Sequence, residues 1–76
     1  MTNASVKYVL QNKKSVAITV ILEPWADEIS VPPDKTLEIV AGTGPIETII
    51  DEKYVTVELS SHVTVSLDGK IVFQRL

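Results

Sequence analysis

The chain contains no cysteine, one histidine and one methionine. The missing thiols exclude disulfides, thiolate metal sites and a cysteine nucleophile, and one imidazole falls short of a histidine-based metal centre. Aromatic residues are almost as scarce, with Tyr8, Trp25, Tyr54 and Phe73 as the whole set. Positive charge is also short: seven Lys and Arg stand against ten Asp and Glu, a formal net charge of −3. The lysines are scattered, and only Lys13 and Lys14 are adjacent. Nucleic-acid binders carry a basic stripe, so no such partner is expected. Long apolar runs are missing too. The longest, from Val16 to Leu22, is interrupted by Thr19, whereas a bilayer span needs roughly 20 residues. Met1 to Lys7 is polar and lacks the apolar core of a signal peptide. No membrane partner is expected, and a cytoplasmic location is.

What is present is β-branched. Val, Ile and Thr supply 26 of the 76 residues, a bias that favours strands. No long stretch repeats apolar residues at helical spacing, and alternation of period two runs throughout. Strands are predicted over about 5–10, 16–22, 28–31, 36–41, 46–50 and 54–59, with a last segment, 62–74, split at its turn. Between them lie Gln11–Lys14, Glu23-Pro24, Pro32-Pro33-Asp34-Lys35, Gly42-Thr43-Gly44-Pro45, Asp51-Glu52-Lys53 and Asp68-Gly69, separators spaced as in a sandwich or barrel. The expected fold is one all-β domain over residues 1–76, a small antiparallel sandwich of six or seven strands. A chain this short buries only roughly 60–65% of its unfolded surface. With disulfides excluded, self-association into a homo-oligomer is the support left to it.

Alternation also assigns faces. Val16, Ile18, Val20 and Leu22 share one side, as do Val55, Val57 and Leu59, and Val63, Val65, Ile71 and Phe73 complete the expected core. Val9, Ile21, Val40, Ile50 and Val72 fall on the opposite side, where a gathered set would mark a subunit contact. In the last hairpin, residues directly opposite one another must share a face. A two-residue type I′ turn at Asp68-Gly69 sets Val65 against Val72 and mixes the faces. A three-residue loop, Leu67 to Gly69 with a bulge at the glycine, pairs Val65 with Ile71 and is preferred. By similar counting, Leu59 opposes Val63 across a loop of Ser60, Ser61 and His62.

Few residues carry chemistry. His62 lies beside Ser60 and Ser61, but no glycine-framed nucleophile turn surrounds the serines, so a solvent-facing loop histidine is expected. Glu23, Asp27 and Glu28 flank Trp25. Paired carboxylates beside an aromatic suit a hydrolase or a calcium site, yet so little chain leaves none over for a deep cleft, and the calcium-loop spacing is absent. Trp25 has two readings: an anchor for a partner, or a stopper folded back over the sandwich end. The stopper is favoured, and Glu23, Trp25, Asp27 and Glu28 are the candidate interaction residues. Gly42 to Pro45 lacks the lysine and following helix of a phosphate loop and reads as a turn. Pro32-Pro33 reads as a rigid turn that blunts a sheet edge. No cofactor, metal or catalytic residue is assigned.

The segment Leu22-Glu23-Pro24-Trp25, followed by Glu28–Val31, Pro32-Pro33-Asp34 and Thr36–Val40, resembles a loose group of short bacterial all-β proteins without assigned function. The likeness covers about a quarter of the chain and implies no activity. The same pattern is similar to parts of immunoglobulin-like and cupredoxin-like sandwiches. A cupredoxin copper site needs two histidines and a cysteine, so the metal does not carry over, and a cupin centre fails for want of histidines. The expected function is a non-catalytic binding or structural module that self-associates through an aliphatic outer face or a sheet edge. The alternatives are a small-ligand-binding domain and, behind it, a hydrolase.

Overall fold

A computed structural model of the chain describes residues 6–42, 46–51, 54–59 and 62–75. Eight strands form: β1 (Val6–Gln11), β2 (Ile18–Glu23), β3 (Asp27–Val31), β4 (Thr36–Ala41), β5 (Glu47–Ile50), β6 (Tyr54–Glu58), β7 (Val63–Leu67) and β8 (Lys70–Arg75). The expected six or seven become eight because the segment split at Asp68-Gly69 is two strands. No helix forms among the described residues, and none is long and apolar enough to cross a membrane.

The strands build two four-stranded sheets. The first runs β1-β4-β7-β8 and the second β3-β2-β6-β5. Every neighbouring pair is antiparallel except β2 and β6, which run parallel with Val20 beside Val55 and Leu22 beside Val57. The purely antiparallel expectation fails there. A parallel pair needs a long crossover, and the chain supplies one by sending β4 to the other sheet between β3 and β5. The β6–β7 connection also changes sheet, so Leu59 and Val63 are not paired across a hairpin; Ser60 and Ser61 lie outside the described residues.

One row of alternating side chains from each inner strand meets between the sheets. Val20, Leu22, Val55, Val57 and Leu59 come from one side, and Leu37, Ile39, Ala41, Val63 and Val65 from the other, all buried. At roughly 1.5–3 kcal/mol per buried aliphatic side chain, this layer is the main stabilising element. Of the other expected core residues, Ile18 and Phe73 are partly buried against it, and two are exposed. Val16 lies before β2 in the loop and is 63% exposed, and Ile71 is 56% exposed.

Ile71 turns outward because of the hairpin register. Leu67 pairs with Lys70 across a two-residue turn, with Asp68 at φ 49° and Gly69 at φ 84°, the left-handed pair a type I′ turn requires. Ser66 then pairs with Ile71, but Val65 pairs with Phe73. Val72 is the extra residue of a β-bulge. The parity problem posed by the sequence is thus solved one pair beyond the turn, not inside it, and the preferred three-residue loop does not form. Pro32-Pro33-Asp34-Lys35 is a tight turn closed by Lys35 N–H donating to the Pro32 carbonyl at 3.2 Å. Asp34 sits at φ 65° there, as the third position of a type II turn demands.

Candidate functional site

The expected interaction residues separate on folding. Pro24, Trp25 and Ala26 form the β2–β3 turn, with a cis Glu23-Pro24 peptide bond and Ala26 at φ 59°. Trp25 is half-buried against the core. Its ring lies 5.8 Å from that of Phe73, tilted by 43°, and the Arg75 guanidinium stands 5.5 Å from the indole centroid. Trp25 therefore ties the β2–β3 turn to β8 of the opposite sheet, as a stopper does.

Of the carboxylates around it, Asp27 is turned away from Glu23 and Glu28. Glu28 pairs with Ile21 and Asp27 with Leu22, so alternation puts Glu28 on the outer face and directs Asp27 to the other side. Glu23 pairs instead with Glu58, which pairs in turn with Glu47. Three glutamates thus lie in one row across β2, β6 and β5 on the outer face. Among the described residues, no group of three or more His, Asp or Glu is placed to hold a metal ion.

His62 is exposed and outside any strand, as expected. Its imidazole lies directly over the Cα of Gly42, where any side chain on Gly42 would collide with it. The Gly42 N–H donates to the His62 carbonyl at 3.0 Å. Gly42 is thus a close-approach glycine; Thr43, Gly44 and Pro45 of the same expected turn lie outside the described residues.

Two features escaped the sequence reading. The first is Asn12, which is fully buried. Its side-chain amide donates to the carbonyls of Val16 and Val31, both at 2.9 Å, and its side-chain oxygen accepts from the Lys14 N–H at 2.8 Å. Its backbone N–H donates to the Lys35 carbonyl at 3.0 Å, and its carbonyl accepts from Asp34 N–H at 2.9 Å. Its polar groups are all partnered, as burial requires, and the β1–β2 loop, the end of β3 and the β3–β4 turn meet on it. Asn in a Gln-Asn-Lys-Lys stretch reads simply as turn chemistry, and no signal there marks it as buried.

The second is an apolar cleft of about 370 Å³ between the β1–β2 loop and the β5–β6 end of the second sheet. Leu10, Val16, Ile18, Ile50, Tyr54 and Val55 line it, with Lys14 and Asp51 also at its wall. Val16, Ile50 and Tyr54 are exposed, Ile50 by 75%. Ile50 was expected outside the core, and it is, but for another reason. It pairs with Val55 and so faces inward, on an edge strand that no other described strand pairs with on its open side.

The outer aliphatics do not gather. Val9 and Val40 lie on one sheet, each beside polar neighbours (Glu38 for Val9, Lys7 and Thr64 for Val40), and Ile21 lies on the other. Compared with known proteins, the chain matches no family model, no curated protein and no solved structure, so its site rests on this geometry alone.

Proposed function

We propose that this domain is a self-associating binding module whose contact surface is the β5 edge with the adjoining cleft. The supporting observation is that β5 presents exposed aliphatic side chains on both faces at once. Ile49 is 56% and Ile50 75% exposed, one outward and one inward. The other three edges are better guarded in the ways natural sheets protect themselves. β8 also exposes Ile71 and Val72, but it is broken by its bulge at Val72 and ends in Arg75. β3 opens with Asp27 and Glu28 and runs into Pro32-Pro33. β1 places Lys7 and Gln11 on either side of Val9 on its outer face. A small domain with a thin core gains most from covering such an edge. The expected setting is the cytoplasm.

Sedimentation equilibrium over a wide concentration range tests this reading. The chain is expected to associate, and Ile49→Lys, which places a charge on the edge, is expected to leave a folded monomer. A wild-type chain that stays monomeric at millimolar concentration overturns the proposal. The second reading, a small apolar ligand, is favoured by the cleft volume, which falls within the usual range for ligand sites, roughly 300–1,000 Å³. Saturable binding of an apolar fluorescent probe by a monomer, abolished by Val16→Asp, is its signature. The hydrolase reading finds no support: Glu23 and Glu28 share the outer face, Asp27 is directed to the other side, and none of the three lines the cleft.

A further inference from the structure

We infer that two copies of this chain join β5 to β5 antiparallel, with Thr48 on the two-fold axis, so that the second sheet continues across the dimer. The inference rests on the self-association proposed above and adds to it the register.

The backbone decides which groups are free to pair. The Asp51 N–H donates to the Tyr54 carbonyl at 2.9 Å, so Asp51 turns its hydrogen-bonding groups toward β6. In an antiparallel ladder these directions alternate. Ile49 and Glu47 therefore also turn toward β6, and Ile50, Thr48 and Ile46 turn theirs to the open side. Only registers that match those open groups are allowed. A two-fold pairing must also keep each face of the sheet continuous, so outer residues meet outer residues.

Every residue-centred register satisfies both conditions; of these, Thr48 and Ile49 keep the most of β5 (Glu47–Ile50) within the ladder, and charge separates the two. Centring on Ile49 sets Glu47 directly opposite Asp51 of the second copy, a like-charge pair that destabilises a ladder. Centring on Thr48 sets Glu47 opposite Ile49 instead. It also sets Ile50 opposite Ile46, which is already packed against the core. The most exposed aliphatic of the edge is then covered by an aliphatic on the same inner face, and each Thr48 exchanges backbone hydrogen bonds with its copy. No carboxylate faces another across the join.

The absence of cysteine makes the register directly readable. Glu47→Cys and Ile49→Cys are prepared as separate single variants of the full chain and shown by circular dichroism to keep the β spectrum. Each is oxidised with diamide, alone and as an equal mixture. In the Thr48-centred dimer, positions 47 and 49 stand opposite at a Cα separation of about 4.5 Å, whereas two copies of position 49 are about 7–8 Å apart on the diagonal. The former is bridgeable and the latter is not. The mixture is expected to form the mixed disulfide on the order of tenfold more than either variant couples with itself, the advantage of held over freely diffusing thiols. Self-coupling of Ile49→Cys alone overturns the Thr48 centre while leaving the β5 contact standing. A sedimenting dimer with no disulfide in any sample overturns β5 pairing altogether. A wild-type monomer at every concentration instead overturns the self-association on which the inference rests.

Discussion

The side-chain amide of Asn12 donates to the carbonyl of Val31 at 2.9 Å, joining residues 19 positions apart at one end of the sandwich. The same amide holds Val16, and the Asn12 backbone holds the Asp34-Lys35 turn. A single buried polar residue thus fixes where β1 ends, where β3 ends and how the first loop crosses between sheets.

Asn12→Ala removes three side-chain hydrogen bonds and leaves the buried Val31 carbonyl without its donor. The expected loss is about 2–3 kcal/mol, the usual consequence of stranding a buried acceptor. Asn12→Asp is expected to lose more, because an oxygen then faces two carbonyl oxygens. Urea denaturation of the variants measures both, and a loss below 0.5 kcal/mol for Asn12→Ala, roughly that of an ordinary surface change, contradicts the clamp.

Asp68 carries a pH dependence of known sign. The Thr36 N–H donates to its carboxylate at 2.9 Å, and Lys35 Nζ stands 3.2 Å away. The Thr36 hydrogen bond first, and Lys35 second, hold its carboxyl below the ordinary value of 3.8. A carboxyl depressed in the folded state stabilises at pH above the unfolded value and loses that contribution as pH falls through the folded one. Asp68→Asn, which keeps the turn and the acceptor oxygen, is therefore expected to melt lower than wild type at pH 7. The gap should close as pH is taken below 3.8. A gap that persists unchanged in acid shows the charge to be irrelevant.

The glutamate row offers a gain. Glu58 stands between Glu23 and Glu47 on adjacent strands, and like charges opposite one another weaken a sheet. Glu58→Thr removes both repulsions and adds a β-branched residue. It is expected to stabilise by about 0.5–1 kcal/mol, with the gain shrinking in high salt as screening grows. Thermal melts at low and high ionic strength read this directly, and a lower melting temperature for the variant refutes it.

His62 and Gly42 form a coupled pair. Gly42→Ala forces the imidazole off its place on the Gly42 backbone and is expected to destabilise by about 1 kcal/mol, at the low end of overpacking because the displaced ring is exposed. Adding His62→Ala removes the obstacle, so the double variant should lose less than the two single losses added together. A double-mutant cycle measures the difference, and strict additivity means the packing does not constrain the loop.

Much of this architecture is legible in the amino-acid order, and the rest fails for identifiable reasons. Val20, Leu22, Val55 and Val57 recur at every second position of their strands and are buried as expected, because side-chain direction in a strand depends only on the backbone repeat. Val16 follows the same alternation but precedes the strand, so the pattern overran the element by two residues. Ile71 fails because one bulged residue reverses every face beyond it. The Asp68-Gly69 turn was visible, whereas the bulge that reconciles it with the core has no local signature. At the site, Asp27 is a chain neighbour of Glu28 yet is directed to the opposite face from Glu28 and Glu23, and the cleft gathers Leu10, Val16, Ile50 and Tyr54 from distant segments.

The order of residues by itself determined that this protein is layered β-structure and that Val20, Leu22, Val55, Val57, Leu59, Val63 and Val65 face its core, since period-two patterning of branched aliphatics acts over a few neighbours. Only the tertiary structure decided that β2 lies parallel to β6, that Asn12 is the buried polar clamp and that β5 is the poorly guarded edge. Those outcomes depend on which strands meet after the chain has crossed between sheets, and partner choice is a property of the packed whole.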